Sequence, residues 1–214
     1  MPEDRGSSGN KKIPKAVIKR LSLYARVLNE LEERNVTKIS SKDLSELLGS
    51  NPAKVRKDLA YFGQFGVPGL GYYVSDLRNE IRRILRTDRV IRVVLFGVGN
   101  LGHALLSYGG FMQLGFKIVA AFDIAPEVIG KTIGGVCVES PTDLVERLRQ
   151  LAPEIALLTT GSDNFQVTVD AIGQAGITAI LNFIPQRLVV PPEVRVHYVN
   201  LAQELESLAY YLKD

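Results

Sequence analysis

The chain has 214 residues, of which 46% are hydrophobic, 23% charged and 7% aromatic, an ordinary globular composition that excludes a collagen-like or wholly disordered chain. No apolar stretch approaches the roughly 20 residues that span a bilayer, and the polar first residues do not resemble a secretory signal. The single cysteine, Cys137, excludes an intrachain disulfide and a multi-cysteine zinc site, so we expect a cytoplasmic protein and an inert core thiol.

Basic residues are concentrated in the first part of the chain. Up to Arg86 there are 17 Lys and Arg against 10 Asp and Glu, a net charge of +7, whereas the remainder has 9 against 13, a net charge of −4. This asymmetry predicts two parts with separate tasks. A basic surface is equally compatible with simple solvation, so DNA binding also requires an element that fits a groove.

Helix signals follow one another in the basic part. Residues 1–12 are polar and glycine-serine-rich, which predicts a disordered arm. After Pro14, apolar residues recur every three or four positions, which predicts an amphipathic helix. Ser40-Ser41 caps a short second helix that ends at Gly49. Asn51-Pro52 then opens a third helix, with asparagine as the cap and proline in the first turn.

A glycine-rich segment comes after the third helix, which we expect to run to about Phe62. The sequence GQFGVPGLGYYV (63–74) contains four glycines and predicts a β-hairpin. A fourth helix is predicted from about Ser75 to Arg86. Helices with a hairpin in this order are typical of a winged helix-turn-helix, so residues 13–86 are predicted to form a DNA-binding domain.

The third helix is the element expected to enter the major groove, since the second helix of a helix-turn-helix presents its first turns to base edges. Arg56 is the better candidate for a bidentate contact with guanine, while the neighbouring lysines contact bases or phosphates. Lysines near the chain start would add salt-dependent phosphate contacts. The predicted DNA-binding residues are Lys12, Lys15, Lys54, Arg56, Lys57 and Tyr61.

Continuous apolar runs alternate with helical patterns between residues 87 and 200. The runs lie at 91–97, 117–123, 154–160, 177–183 and 195–200, with a shorter one near 135–138, and the helical patterns lie at 101–114, 141–151 and 163–175. Unbroken apolar runs indicate strands buried on both faces of a parallel sheet. The alternation predicts a doubly wound Rossmann domain, followed by a last helix over 201–212.

The first strand of this domain leads into a glycine loop with the pattern GxGxxG. Its residues are Gly97, Val98, Gly99, Asn100, Leu101 and Gly102. In this strand-to-helix context the pattern predicts a dinucleotide site, with the pyrophosphate at the helix N-terminus. Asp123, 21 residues past Gly102 at the end of the next strand, is predicted to bind the adenosine ribose. Because no arginine follows it, we predict NAD(H) and not NADP(H).

Other residues near this site leave alternatives open. Thr159 and Thr160, at the end of the fourth strand, either line the cofactor cleft or cap the next helix. A dehydrogenase needs an acid or base near the nicotinamide. His103 adjoins the phosphate end, and His197 has no acidic neighbour. With no metal-ligand spacing either, the sequence favours NAD(H) binding without catalysis.

Six segments together resemble the bacterial redox-sensing transcriptional repressors of the Rex family: IPKAVIKRLSLY, VRKDLAYFGQFGVPGLGY, FGVGNLGHALLSY, AAFDIAPEVIGKTIGGV, AILNFIP and VNLAQELESLAYYL. The resemblance covers residues 13–212. It implies a homodimer that binds palindromic operator DNA when NADH is low and releases the DNA when NADH binds. It also implies that residues 201–214 form a helix exchanged between the subunits.

Individual positions carry further implications of this resemblance. Tyr108 matches a tyrosine near the nicotinamide. Arg20 matches an arginine that pairs with an aspartate at the start of the C-terminal helix, but here that position is Asn200. An arginine–asparagine bond lacks the ion pair, so we expect a weaker switch contact. The wing tip, VPGLGY, also lacks a basic residue.

Two other functions are compatible with the sequence. One is a small NAD-dependent oxidoreductase with an accessory basic domain, which would turn over NADH with a carbonyl substrate. The other is a dimeric module whose basic half binds an acidic protein, which would not prefer a palindromic duplex to a scrambled one.

Overall fold

The computed structural model describes residues 13–63, 65–67, 69–161 and 165–212. The predicted arm, residues 1–12, lies outside the described residues, and Lys12 with it. The chain divides into two compact units whose boundary falls between Asp88 and Arg89, two residues after the boundary expected from the sequence.

The described residues of the first unit form four helices and a two-stranded antiparallel sheet. The helices are α1 (Lys15–Glu33), α2 (Ser41–Leu47), α3 (Pro52–Leu59) and α4 (Val74–Leu85), and the strands are β1 (Lys38–Ile39) and β2 (Tyr72–Tyr73). The apolar stripe of α1 is buried at Val17, Leu21, Tyr24 and Leu28. Leu21, Tyr24 and Leu28 pack in one core with residues of the other three helices, as the three-to-four-residue spacing predicts.

The predicted caps of α2 and α3 are confirmed. The Ser40 hydroxyl accepts a hydrogen bond from the Asp43 amide at 3.1 Å, and the Asn51 side chain accepts one from the Lys54 amide at 2.8 Å. Gly49 follows α2 with a φ of +57°, a conformation that favours glycine. These signals therefore fix the tight connection between the two helices.

The predicted wing pairing is only partly right. Tyr72 and Tyr73 pair with β1, which precedes α2, and the described residues of the glycine-rich segment itself contribute only a single bridge between Val67 and Gly71. Gly71 lies so close to β1 that a Cβ atom there would be 2.4 Å from the Ile39 carbonyl oxygen. A two-residue strand has no detectable alternation, so the sequence gives no sign of this distant partner.

The second unit is a seven-stranded sheet with helices in the crossovers. Its strands are β3 (Ile91–Phe96), β4 (Phe116–Phe122), β5 (Thr132–Ile133), β6 (Val136–Glu139), β7 (Ile155–Leu158), β8 (Ala179–Asn182) and β9 (Arg195–Tyr198). Its helices are α5 (Asn100–Ser107), α6 (Gly110–Gln113), α7 (Leu144–Leu151), α8 (Phe165–Gln174) and α9 (Leu201–Ala209).

The strand order is β5-β6-β4-β3-β7-β8-β9, and every neighbouring pair except β5-β6 is parallel. This arrangement confirms the doubly wound Rossmann fold. The chain leaves β3 toward β4 on one side and returns to β7 on the other, which opens a crevice at the carboxyl ends of β3 and β7. That crevice is where the glycine loop lies.

Two details differ from the expectation. The helix predicted over 101–114 is two helices, because Tyr108 has extended backbone and is followed by two glycines. Cys137 is exposed and not a core residue. It lies on β6, where successive side chains point to opposite faces, and it is on the face opposite the buried Val138.

Candidate functional sites

The glycine loop makes its tight turn between β3 and α5 with glycine where a side chain would collide. A Cβ atom on Gly97, whose φ is +91°, would lie 2.4 Å from the Thr160 amide nitrogen, and one on Gly102 would lie 2.0 Å from the Gly97 carbonyl oxygen. These glycines therefore permit the close packing of loop, helix and neighbouring strand. Around Gly99, by contrast, there is open space within 4 Å.

That open space belongs to a cleft of about 350 Å³, here called the first cavity. It is lined by residues 97–99 of the glycine loop, by residues 123–125 and Glu127–Val128, and by residues 159–161. The structure thus brings together Gly97, Val98, Gly99, Asp123, Thr159 and Thr160 from three strand ends. The N-terminus of α5, with its unpaired amides, adjoins the loop and favours an anion there.

Asp123 has a structural contact that the sequence did not indicate. Its carboxylate accepts hydrogen bonds from the Val98 amide at 2.5 Å and the Ala125 amide at 2.8 Å. It therefore holds the glycine loop from the end of β4. Glu127, a residue that sequence reasoning missed, lines the same cavity. Two carboxylates in one cleft disfavour a ligand with an additional phosphate, which supports NAD(H) over NADP(H).

Thr159 also braces the loop. Its hydroxyl lies 3.0 Å from the Phe96 carbonyl oxygen and 2.7 Å from that of Gly97, to which it donates. Thr160 lines the first cavity beside it. Residues 162–164, which precede α8, lie outside the described residues.

A second cavity, of about 430 Å³, lies at the carboxyl ends of β8 and β9. It is lined by Leu101 of α5, the loop 183–187, residues 198–201 and Gln203. Leu101 thus lines this space and not the first cavity. Tyr108 lines neither of these two cavities: the residue is 57% exposed, and its ring packs edge-on against Phe111, with centroids 5.0 Å apart.

The predicted recognition helix, α3, exposes its basic side chains. Lys54, Arg56 and Lys57 are solvent-exposed, while Val55 and Leu59 face the core. Arg56 donates a hydrogen bond to the Ser41 hydroxyl at 3.0 Å, which holds it near the start of α2. Tyr61, after the helix, and Lys15, at the start of α1, are exposed as well.

A buried carboxylate holds α3 against α1, and sequence reasoning missed it. The guanidinium of Arg20 forms a fork with Asp58, with distances of 2.5 and 2.7 Å, and the Tyr24 hydroxyl donates to the same carboxylate at 2.7 Å. Asp58 is only 2% exposed. Arg20 and Tyr24 are four residues apart on α1, but nothing in the sequence points to a partner 34 residues farther on.

We call this group the Arg20–Tyr24–Asp58 anchor. Its burial and its hydrogen bonds determine which of its side chains are charged. Burial opposes the charged form of Asp58, but the hydrogen bonds from Arg20 and Tyr24 outweigh burial and lower the pKa of Asp58. The pKa of Tyr24 is raised, first by burial and then by its bond to Asp58. The anchor is therefore an ion pair with a neutral phenol at neutral pH.

Asp58→Asn is expected to lower the free energy of unfolding by roughly 2–3 kcal/mol at pH 7, because the charged hydrogen bonds to Arg20 are lost. Since the pKa of Asp58 is lower in the folded state, the wild-type advantage is full above pH about 4 and is lost as pH falls through the folded pKa. Urea unfolding at pH 7, 5 and 3 measures this, with the exposed Asp88→Asn as control. Equal stability of Asp58→Asn and wild type at pH 7 would contradict it.

The two residues of the predicted switch contact have separate partners within the chain. Arg20 is engaged by Asp58, and the Asn200 side chain caps α9 by accepting a hydrogen bond from the Gln203 amide at 3.2 Å. A contact between Arg20 and Asn200 of different subunits stays a prediction.

The apolar face of α9 is exposed along its whole length. Leu201, Leu205 and Leu208 are each more than 60% exposed, and no residue of the helix is buried. A contiguous apolar surface of this kind marks an interaction site.

Among the described residues, no helix is long and apolar enough to span a membrane. In the same residues, no group of acidic, histidine or cysteine side chains is arranged to hold a metal ion.

Comparison with known proteins agrees with the division of the chain into two units. Residues 12–60 match the family described as "Putative DNA-binding protein N-terminus", and residues 88–186 match the "CoA binding domain" family. The redox-sensing transcriptional repressor Rex of Geobacillus kaustophilus (strain HTA426) is 45% identical over 208 residues, which cover 97% of each chain.

Two solved structures of a protein named RSP are similar over nearly the whole chain. RSP in complex with beta-NAD+ and operator DNA matches with a TM-score of 0.86 and 38% identity, covering 92% of this chain and 91% of RSP. RSP in complex with beta-NADH matches with a TM-score of 0.82 and 36% identity, covering 94% of each chain.

Proposed function

This chain belongs to the Rex family of redox-sensing transcriptional repressors, and we propose that it binds operator DNA when NADH is scarce and releases that DNA when NADH binds. The observation that carries the proposal is the presence of an NAD-type glycine loop with its acidic partner and of an exposed basic recognition helix in one chain. The relatives are named as repressors, so the oxidoreductase alternative is not retained. We place the protein in the cytoplasm, where both ligands occur.

The dinucleotide is proposed to lie along the carboxyl edge of the sheet. Its pyrophosphate would lie over Gly99 at the N-terminus of α5, supported by Gly97, Val98, Asn100 and Gly102 of the same loop. Its adenosine ribose would bind the Asp123 carboxylate in the first cavity, beside Thr159 and Thr160. The nicotinamide would occupy the second cavity against Leu101. The role of Tyr108 near the ring rests on the family resemblance, because Tyr108 lines neither cavity. Residues 87–200 would form this NAD(H)-binding domain.

The DNA is proposed to contact residues 13–86 and the preceding Lys12. Arg56 would read guanine in the major groove, with Lys54 and Lys57 on bases or phosphates and Tyr61 beside them. Lys12 and Lys15 would contact phosphates. The anchor at Asp58 supports this role, because it fixes the helix that carries these side chains.

The protein is proposed to act as a homodimer in which residues 201–214 are exchanged. The exposed apolar face of α9 supports this, since burial against a second subunit would remove it from water. Two recognition helices related by a two-fold axis match a palindromic operator, provided they lie about 34–36 Å apart. The contact between Arg20 and Asn200 would be made across subunits and would lack the ion pair.

Reduction changes the charge of the ligand, and this is proposed to drive the switch. Hydride addition converts the cationic nicotinamide ring into a neutral one, and a site that removes the ring from water binds the neutral form better because an unpaired buried charge is costly. NADH would thus stabilise a closed dimer whose recognition helices no longer match successive major grooves. Any such coupling between the two ligands is reciprocal.

A mobility shift with a palindromic operator tests the proposal. We expect the complex to persist with NAD+ and to dissociate with NADH at the same concentration, while a scrambled duplex is bound weakly in both cases. Asp123→Ala should bind the operator as wild type does and lose the response to NADH. An operator complex that is equally stable with NAD+ and NADH would contradict the proposal.

A further inference from the structure

Among the described residues, the side-chain charge that lines the second cavity is positive. Among the described residues that line it, Arg187 is the only one with a charged side chain, and the others are apolar or neutral polar. Arg187 is exposed and forms no ion pair within the described part of the chain. The start of α9, which forms another wall, presents the positive end of a helix dipole. Glu204, in the first turn of α9, is not among the lining residues, so Arg187 is the one side-chain charge that the described lining residues bring to this space.

The loop that carries Arg187 is held in place by two side chains. Asn182, which is fully buried, donates to the carbonyl oxygens of Ile184 and Gln186 at 3.1 and 3.2 Å and accepts from the Ile184 amide at 2.9 Å. Tyr198 accepts from the Leu188 amide at 3.0 Å. Asn182 and Tyr198 are register partners in β8 and β9, so adjacent strand ends fix the loop on both sides of Arg187.

We propose that Arg187 is a specificity-determining residue that lowers the affinity of the second cavity for the oxidised nicotinamide ring. This inference rests on the proposed function, which places the nicotinamide in that cavity. A guanidinium repels the cationic ring of NAD+ and leaves the neutral ring of NADH without such repulsion. The pyrophosphate and adenosine are common to both ligands, so their attraction to Arg187 cancels in the ratio of the two affinities.

The repulsion is exposed to solvent and is therefore sensitive to salt. Because Arg187 is at the surface, added ions screen its interaction with the ring. The preference of the wild type for NADH is expected to decrease as the salt concentration rises from 50 to 500 mM. A preference due only to apolar packing would not decrease in this way.

Calorimetric titration with NAD+ and with NADH tests the proposal in three variants. Arg187→Gln is expected to lower the ratio of the NAD+ to the NADH dissociation constant by about 3- to 10-fold, and to remove its salt dependence. Arg187→Lys keeps the charge and should keep the ratio within about twofold. Arg195→Gln removes an equal charge at the opposite end of β9 and should likewise leave it unchanged.

The possible outcomes distinguish failure of this inference from failure of the proposed function. A wild type that binds both nucleotides, with the same ratio in Arg187→Gln, overturns the inference and leaves the proposed function intact. A ratio that falls equally in Arg187→Lys also overturns it, because the charge is then not the cause. A wild type that binds neither nucleotide overturns the proposed function and the inference together.

Discussion

Gly99→Ala is expected to weaken NADH binding by about 10- to 100-fold while the protein stays folded. The reason is the asymmetry among the three loop glycines. At Gly99 the backbone is extended and nothing lies within 4 Å of an added Cβ, so the free protein tolerates alanine there. The added methyl group would occupy the space proposed for the pyrophosphate. Calorimetry with NADH measures the loss.

Alanine at Gly97 or Gly102 would collide with backbone atoms and destabilise the second unit itself. A loss of NADH affinity in those variants would therefore not report on the pyrophosphate contact alone. A suitable control is Gly173→Ala in α8, where the new Cβ would be in ordinary contact with Pro191 at 3.8 Å. Its thermal stability should equal or exceed that of wild type. Wild-type NADH affinity in a folded Gly99→Ala protein would show that the pyrophosphate lies elsewhere.

Leu205→Glu is expected to raise the dimer dissociation constant by about 10²- to 10⁴-fold. Burying a leucine contributes roughly 1.5–3 kcal/mol, and a two-fold interface contains the residue twice. Because Leu205 is 66% exposed within its own chain, the substitution does not disturb the subunit core. Sedimentation velocity over a range of protein concentrations measures the effect.

Operator affinity should fall with the dimer, since a monomer contacts a single half-site. Ser207→Glu, which adds the same charge on the opposite face of α9, is the matched control and should remain dimeric. If Leu205→Glu dimerises as tightly as wild type, the exposed face of α9 is not the subunit interface.

Local signals in the sequence were sufficient for much of this fold. Ser40 and Asn51 cap helices because their short polar side chains reach backbone amides three residues on, and that geometry is contained in a few neighbouring positions. The glycine loop is equally local, since its spacing reflects one tight turn. The buried strands β3, β4, β7 and β8 were recognisable because continuous apolar runs suit a parallel sheet. The same reasoning was wrong about burial for β9, which lies at the sheet edge and has no buried residue.

Contacts between distant residues could not be predicted in the same way. Asp58 has the appearance of a solvated helix residue between Lys57 and Leu59, and only the packing of α3 on α1 brings it to Arg20 and Tyr24. The second cavity likewise exists only because the ends of β8 and β9 are adjacent in the sheet. Its single charge at Arg187 therefore has no counterpart in any sequence motif.

The most direct test of the account is the affinity for NADH with and without saturating operator DNA. Thermodynamic reciprocity requires that operator DNA weaken NADH binding by the same factor by which NADH weakens operator binding. With a coupling of about 5- to 150-fold, the two titrations are easily distinguished. We expect the dissociation constant for NADH to rise by that factor when the operator is present. The same constant in both titrations would show that the nucleotide site and the DNA site of this chain are not coupled.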